Sequence, residues 1–209
     1  EENFKITDKG LPGKLLETYL FGIKNNSISK PDFDGLIKSG ECAPDLKVTK
    51  IAEYGKYPGK YRAKERLTCT NINREKLANC EDFVNSCYKD KCSNILLFVL
   101  EYKEWKTFEE LMNIKILHVM HVNLYEKYKD KMDEDWLYIN NMAKDNTIKL
   151  SQKGQMCLHV HPHGSKGSTQ RALGLKNKFL TEIIGDDLEK VRNEQVTFRK
   201  GRMTMLKLY

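Results

Sequence analysis

The feature that most constrains the fold is an unbroken apolar run from Ile95 to Leu100, which follows Asn94. The run is too short to span a membrane, which takes about 20 apolar residues in a helix. An uninterrupted apolar run of this length predicts a strand that is buried on both faces. Such a strand needs covering layers on either side, so we expect a sheet that is flanked by helices.

Other segments supply the remaining elements of an α/β (α+β) fold. Asp45–Ile51 alternates polar and apolar residues, as a half-buried strand does. The other predicted elements are helices at Lys14–Ile23, Asn73–Lys89 and Tyr125–Ala143 (charged and exposed), strands at Arg66–Thr70, Asn94–Leu100 and Asn113–Asn123, a loop at Tyr54–Tyr61, and a C-terminal hairpin at Val196–Leu208. No repeat or low-complexity linker divides the chain. We therefore expect a single domain over residues 1–209, with a central mixed sheet.

The composition indicates a globular protein with a polyanionic partner. Of the 209 residues, 40% are hydrophobic, which is enough for a core. No apolar run could cross a membrane, and the first residues lack the order of a signal peptide. We therefore expect an intracellular, cytoplasmic protein. The net charge of +7 favours association with a polyanion such as nucleic acid but does not identify it.

The six cysteines predict neither a zinc site nor a disulfide framework. No Cys-x-x-Cys pair is present. Within the predicted helix Asn73–Lys89, which Asn73 would cap, Cys80 and Cys87 fall on the apolar face at helical spacing. We expect both to be small buried hydrophobes. Free thiols suit a reducing compartment.

Two acidic residues and a lysine form the set that carries chemistry. Residues two apart on a strand point to the same face, so Asp45 and Lys47 should share one site, to which Asp32 adds a second carboxylate. Magnesium prefers oxygen ligands and takes one or two carboxylates together with water and phosphate oxygens. A lysine beside it would stabilise charge on a phosphorane-like transition state. This arrangement follows the logic of the PD-(D/E)xK nucleases.

Several motifs together resemble the MutH-type endonucleases. Lys9–Glu17 has the Lys-Gly-x-x-Gly-x-x-x-Glu pattern that opens this family. Pro31-Asp32-Phe33 and Asp45-Leu46-Lys47-Val48-Thr49 follow where the family has an Asp-Phe pair and an acidic-Leu-Lys strand. Leu158–Gly164 and Ala172–Phe179 resemble the family's C-terminal strand, which ends in a basic-Pro-basic DNA contact, and the segment after it.

The resemblance is strongest to the restriction-enzyme branch of the family, the Sau-three-A type enzymes that cut at GATC. Phe21–Ser29 and Ala63–Leu67 carry it. It implies a restriction-endonuclease-like fold with two lobes around a DNA cleft, an N-terminal catalytic part and a C-terminal recognition part. The implied activity is that of a type II restriction endonuclease on double-stranded DNA, with Mg²⁺ as cofactor and Mn²⁺ as a substitute. A homodimer on DNA is one arrangement that such an enzyme can take.

Two other functions remain open at this point. One is a MutH-like mismatch-repair nicking endonuclease that depends on partner proteins and on adenine methylation. The other is a DNA-binding module of the same fold that does not cleave, since some family members carry a second, inactive domain. The intact set of Asp32, Asp45 and Lys47 argues against this module.

The resemblance also assigns roles to further residues. Glu17 would join Asp32, Asp45 and Lys47 as a catalytic residue, through a water on the metal or by orienting Lys47; Asp32 and Asp45 would hold the metal. Lys91 resembles a family lysine near the scissile phosphate, and Lys89 is the alternative. The expected DNA contacts are His161, His163 and Lys166 at the end of the C-terminal strand, and Arg199 and Lys200 in the hairpin.

Three departures from the family pattern affect these roles. Asp45 stands where the family usually has Glu, which shortens the reach but keeps the chemistry. The interval between Asp32 and Asp45 is longer than in typical members, so Asp34 and Glu41 remain alternatives to Asp32 as metal ligand. His161-Pro162-His163 replaces the usual arginine and lysine. Neutral histidine is a weaker partner for phosphate but can still hydrogen-bond a base edge.

Overall fold

The structure is a computed structural model that describes residues 8–23, 31–33, 43–54, 57–145, 150, 154–164 and 168–187. Within them the strands, in chain order, are β1 (Asp45–Tyr54), β2 (Tyr57–Ala63), β3 (Leu67–Asn71), β4 (Asn94–Glu101), β5 (Ile116–Asn123), β6 (Leu158–Pro162) and β7 (Arg171–Leu175). The helices are α1 (Leu11–Leu15), α2 (Arg74–Ala78), α3 (Lys89–Ser93), α4 (Phe108–Met112), α5 (Leu124–Lys144) and α6 (residues 177–187). The α/β class predicted from the sequence is confirmed.

The strands form two hydrogen-bonded sheets, and the larger is the predicted mixed sheet. Its order is β2-β1-β4-β5, in which β1 pairs parallel with β4, and the outer pairs are antiparallel. The smaller sheet is antiparallel in the order β3-β7-β6. The sequence prediction of one central sheet is therefore refined to two, which share the core.

One hydrophobic core joins the two sheets. It contains Ile95 and Leu97 of β4, Leu173 of β7, Trp136 of α5 and Leu180 of α6. A smaller cluster, which includes Leu11, Leu15 and Leu111, gathers residues of α1 and α4. Six of the eight residues of β4 are buried and they point to both faces of the sheet, as the apolar run predicts.

The predicted helix Asn73–Lys89 is wrong beyond its first turns. Asn73 does cap α2, since its side chain accepts a hydrogen bond from the backbone N–H of Lys76. The helix ends at Ala78 because the side chains of Asn140 and Trp136 donate to carbonyls there, at 2.6 Å for Leu77 and 3.1 Å for Cys80. A 3-10 turn, Phe83–Asn85, follows. Cys80 is half-buried and Cys87 is exposed, so neither is the fully buried residue that we expected.

The predicted loop at Tyr54–Tyr61 is also wrong. Most of it belongs to β2, which pairs with β1 in the register Ala52 to Arg62. The predicted strand Arg66–Thr70 is present as β3, but it pairs with β7 in the smaller sheet. Hydrogen-bond partners of a strand depend on contacts that are distant in sequence, and polar and glycine-rich segments carry little signal for them.

The first helix starts earlier than the predicted Lys14. Leu11 begins α1, and Pro12 is accommodated in its first turn, where a missing N–H costs nothing. The helix then passes into a π-helical turn, Leu16–Leu20. The short helix α4 was not predicted, although Thr107 and Glu110 form a capping box at its start.

The charge of the long helix α5 predicted an exposed helix, but one face of α5 is buried. Met132, Trp136 and Ile139 are buried in the core at helical spacing, while the charged residues of α5 other than the buried Asp135 are exposed or half-buried. No helix in the described part of the chain is long and apolar enough to cross a membrane. The predicted hairpin Val196–Leu208 lies outside the described residues.

Candidate active site

The centre of the candidate site is Asp45, the first residue of β1. Its side chain has 0% exposure, and it forms an ion pair with Lys47 through Oδ2. The Nζ atom of Lys91, from α3, lies 3.4 Å from Oδ1 of Asp45. The parallel pairing of β1 with β4 brings α3, which directly precedes β4, beside Asp45. A buried carboxylate therefore has a cation on each oxygen.

The segment around Asp32 is attached to the same end of β1. The backbone N–H of Asp32 donates to Oδ1 of Asp45 at 3.3 Å. In return, Oδ2 of Asp32 accepts from the backbone N–H of Leu46 at 2.8 Å. Burial, and then the neighbouring Asp45 carboxylate, raise the pKa of Asp32 to about 6. The two acidic residues thus lie in one small volume; Asp34 and Glu41 lie outside the described residues.

Lys47 stays charged in this environment. Burial by itself would lower the pKa of Lys47, but Asp45, Cys69 and Asp32 together outweigh this effect and the net pKa is raised. The lysine is therefore a cation at neutral pH. Two buried thiols lie behind it, Cys69 of β3 and Cys92 of α3, and burial together with a hydrogen bond to Cys69 raises the pKa of Cys92 well above its usual range.

Glu17 lies on the π-helical turn that follows α1, close to β1. At Gly13, between the two, a Cβ atom would be 3.6 Å from Cγ2 of Val48 and 3.9 Å from Oε1 of Glu17. Burial raises the pKa of Glu17; the ammonium of Lys47 opposes this effect, and the Asp45 carboxylate adds to it. Glu17 therefore lies within electrostatic reach of both central residues.

The residues present fit a divalent cation of the magnesium type. Oδ2 of Asp45 is buried and, within the described part of the chain, has no hydrogen-bond partner besides its ion pair. Burial, and then the Asp45 carboxylate, raise the pKa of Asp32, whereas the ammonium of Lys47 lowers it. Among the described residues no group of three or more His, Cys, Asp or Glu side chains could hold a metal. Two carboxylates, completed by water and phosphate oxygens, are a set that suits Mg²⁺.

A cleft of about 780 Å³ extends from this centre between the two sheets. Lys47 and Thr68 lie in its lining, as do the start of α1 and the end of β6. Apart from histidine, the described lining residues that can carry charge are five cations and two carboxylates. The cations are Lys9, Lys47, Lys50, Lys64 and Arg66, and the carboxylates are Asp8 and Glu65. The cleft therefore has the positive lining that a polyanion requires.

The predicted recognition residues differ in how they meet this cleft. His161 is only 2% exposed, and its Nε2 is 3.0 Å from the hydroxyl of Thr68. His163 is half-buried in the cleft lining, and its backbone N–H donates to the carbonyl of Gln170. His163 is thus better placed than His161 to touch a ligand. Lys166, Arg199 and Lys200 lie outside the described residues.

The sequence analysis missed a second buried histidine, His159. Its ring lies 4.9 Å from that of His161, and neither of its ring nitrogens has a hydrogen-bond partner among the described residues. Burial lowers the pKa of His159 to about 3 and that of His161 to about 4. Both rings are therefore neutral at pH 7. The spacing of two on a strand, His159 and His161, is the signal that places them on one face.

The fold and the site define a class. The larger sheet is mixed and has a parallel central pair of strands. Paired acidic residues and a lysine lie at the start of β1, beside a basic cleft. These features match a restriction-endonuclease-like fold.

A sequence model of the family described as DNA mismatch repair enzyme MutH matches residues 21–135. The chain belongs to this family. It is also 31% identical, over 192 residues, to the type II restriction enzyme Sau3AI of Staphylococcus aureus. This match covers 84% of the chain but spans only 36% of the relative's length. The resemblance to MutH-type endonucleases and to their restriction-enzyme branch is confirmed.

Proposed function

We propose that this chain cleaves double-stranded DNA as a type II site-specific endonuclease. Mg²⁺ would be its cofactor, Mn²⁺ would substitute, and the enzyme would act in the cytoplasm. The observation that carries the proposal is the buried carboxylate of Asp45, held between Lys47 and Lys91 next to Asp32. It lies at a cleft whose lining is positively charged. Membership of the MutH family supports the same activity.

The metal, when bound, supplies Lewis-acid chemistry: it polarises the scissile phosphate and lowers the pKa of water. Asp32 and Asp45 are the residues that would hold it. Lys47, a cation at neutral pH, contributes positive charge where negative charge develops on the phosphate and orients the attacking water. Glu17, which interacts electrostatically with Lys47, would orient this lysine. Lys91 adds a second cation beside Asp45, 3.4 Å from its Oδ1, and would act near the scissile phosphate.

The recognition site that we propose is GATC, read from the C-terminal part of the chain while the N-terminal part cuts. The resemblance to the restriction-enzyme branch supports this specificity. His163 would present a ring nitrogen to a base edge in the major groove. Arg199 and Lys200 would fix the register through phosphates, and Lys166 would contact DNA beside His163. His161, buried against Thr68, would position the strand end rather than reach DNA first.

A second candidate is a nicking endonuclease of the mismatch-repair kind, which the family match favours. Its catalytic residues would be the same, so the structure of the site does not separate the two. The difference lies in whether one strand or both are cut, and in the need for partner proteins. A homodimer on DNA would favour cutting of both strands.

Digestion of supercoiled plasmid with Mg²⁺ tests the proposal. Discrete linear fragments are expected from a type II enzyme that acts alone. Nicked circles without linear product would indicate the nicking function instead. Intact plasmid that only migrates more slowly would indicate a DNA-binding module and would overturn the proposed activity.

A further inference from the structure

The DNA cleft continues into a second groove outside the catalytic centre. This groove has a volume of about 590 Å³, and Lys64 and Asn177 line both it and the cleft. Its remaining lining includes Arg62, Lys178 and Glu182. Three cations therefore face one carboxylate. Because Lys64 and Asn177 line both cavities, a polyanion that extends from the cleft past these residues reaches the groove.

The segments that carry the shared lining residues Lys64 and Asn177 are anchored to the hydrophobic core. The backbone N–H of Ala63 donates to the hydroxyl of Thr181 at 3.0 Å, and the amide of Asn177 donates to the carbonyl of Lys64 at 3.4 Å. Phe179 and Leu180, on α6, are buried in the main core. The exposed Lys178 therefore projects from a helix that cannot move independently of the catalytic sheet.

An aromatic ring holds the lysine that lies between the two cavities. Nζ of Lys64 is 5.0 Å from the ring centroid of Tyr102, an exposed residue just after β4. Nζ of Lys50, in the cleft lining, likewise lies 3.7 Å from the ring centroid of Trp105. A cation–π contact orients an ammonium group without neutralising its charge. The positive charge of Lys64 thus stays available to a phosphate.

We propose that this groove binds the phosphodiester backbone of the DNA that flanks the cleaved site, through Lys64 and Lys178. The inference rests on the proposed function, because it needs DNA in the cleft. An apolar partner is disfavoured, since the lining is polar or charged apart from Ala63. A backbone contact outside the target adds affinity that is independent of sequence and sensitive to salt. The enzyme would then hold long DNA more tightly than a short duplex that carries the same target.

The test compares the affinities of a short and a long duplex by fluorescence anisotropy, with Ca²⁺ in place of Mg²⁺ to prevent cutting. Wild-type protein should bind the long duplex more tightly. Lys178→Glu should lower the affinity for the long duplex on the order of tenfold. It should change the affinity for the short duplex little. The slope of log affinity against log salt should fall by about 1 for each lost contact. Tyr102→Ala should weaken long-duplex binding more than Tyr102→Phe, which keeps the ring.

Lys76→Glu is the matched control, because Lys76 is an exposed lysine on α2 that lines neither cavity. It makes the same change of charge and should keep the length dependence. The proposal is overturned if Lys178→Glu, folded by its melting temperature, shows the same ratio of affinities for long and short duplexes as wild type. Equal effects of Lys76→Glu and Lys178→Glu would also overturn it. Wild-type protein that binds with length dependence but never cuts in Mg²⁺ would refute the nuclease activity alone.

Discussion

The ion pair between Asp45 and Lys47 matters both for stability, because both side chains are largely buried, and for the proposed catalysis. A buried charge is costly unless it is paired, and removing one partner leaves the other uncompensated. Asp45 retains a second cation, Lys91, if Lys47 is lost. Lys47 can therefore be removed without leaving the carboxylate alone, which makes it the best residue for a test of catalysis.

Lys47→Ala is expected to lower the cleavage rate by about 10²- to 10³-fold, because the lost charge acts mainly on the transition state. DNA binding should remain. Plasmid cleavage in Mg²⁺ and anisotropy in Ca²⁺ measure the two effects separately. Lys50→Ala, which removes another cleft lysine that is not paired with Asp45, should cut at a rate much closer to that of wild type. Full activity of Lys47→Ala would refute the assignment.

His159 and His161 are expected to make folding stability dependent on pH. Burial lowers the pKa of His159 to about 3 and of His161 to about 4, whereas a histidine in the unfolded chain titrates at about pH 6.5. Below that pH the unfolded chain binds protons that the folded protein does not. The free energy of unfolding should therefore fall as the pH drops from about 6.5 to about 4, since the unfolded state is favoured by protons.

Urea denaturation at a series of pH values measures this dependence. His159→Phe, which keeps an aromatic ring of similar size, should make the decline in stability below about pH 6.5 shallower. The pH range above that value serves as the internal reference, because both rings are neutral there in either state. An unchanged slope in His159→Phe would show that this ring does not stay neutral in the folded protein.

At the scale of elements, Asp135 connects α5 to the recognition strand. Its carboxylate accepts backbone hydrogen bonds from Met156, Cys157 and Leu158, at 2.6, 2.5 and 2.8 Å. These bonds hold the start of β6, the strand that leads to His163. The same helix that covers the core thus also sets the position of β6, whose end we propose reads DNA.

Asp135→Asn is expected to lower the free energy of unfolding by about 2 kcal/mol or more, because an amide NH₂ cannot accept from these donors. Chemical denaturation measures the loss. Asp133→Asn on the same helix removes a more exposed carboxylate, paired with Lys129, and should cost less than about 1 kcal/mol. Equal losses for the two variants would contradict the role of Asp135.

Features set by a local sequence pattern could be predicted, whereas features set by residues distant in the sequence could not. The alternation of β1 placed Asp45 and Lys47 on one face, and the ion pair confirms it. The periodicity of Asn73–Lys89 predicted one helix, yet Asn140 and Trp136, more than fifty residues away, bind its carbonyls and end it. The contact of Lys91 with Asp45 likewise depends on the pairing of β1 with β4, which no local pattern gives.

At the scale of the whole molecule, the cleft lies between the two sheets, with Lys47 on one side and His163 near the end of β6. The residues that we propose for cutting and for reading therefore lie on different sheets that share one core. A change at the reading end should alter which sequence is cut while leaving the chemistry of the cut intact.

His163→Ala is expected to lose about 1–3 kcal/mol of discrimination between GATC and sites that differ by one base pair. Rates on matched oligonucleotides measure it. His121→Ala, a histidine of β5 outside the cleft lining, should leave discrimination unchanged. Sequencing the ends of plasmid fragments checks the site itself, and ends that do not map to GATC would refute this specificity but not the nuclease activity.

The most direct test of the central claim, a metal-dependent centre at Asp32 and Asp45, is plasmid cleavage by wild type and Asp45→Asn under different metals. Wild type should cut with Mg²⁺ or Mn²⁺, and bind without cutting in Ca²⁺, which activates water poorly. Excess EDTA should abolish cutting. Asp45→Asn, folded and still able to bind DNA, should not cut under any of these conditions. Unchanged cleavage in EDTA, or full activity of Asp45→Asn in Mg²⁺, would contradict the account.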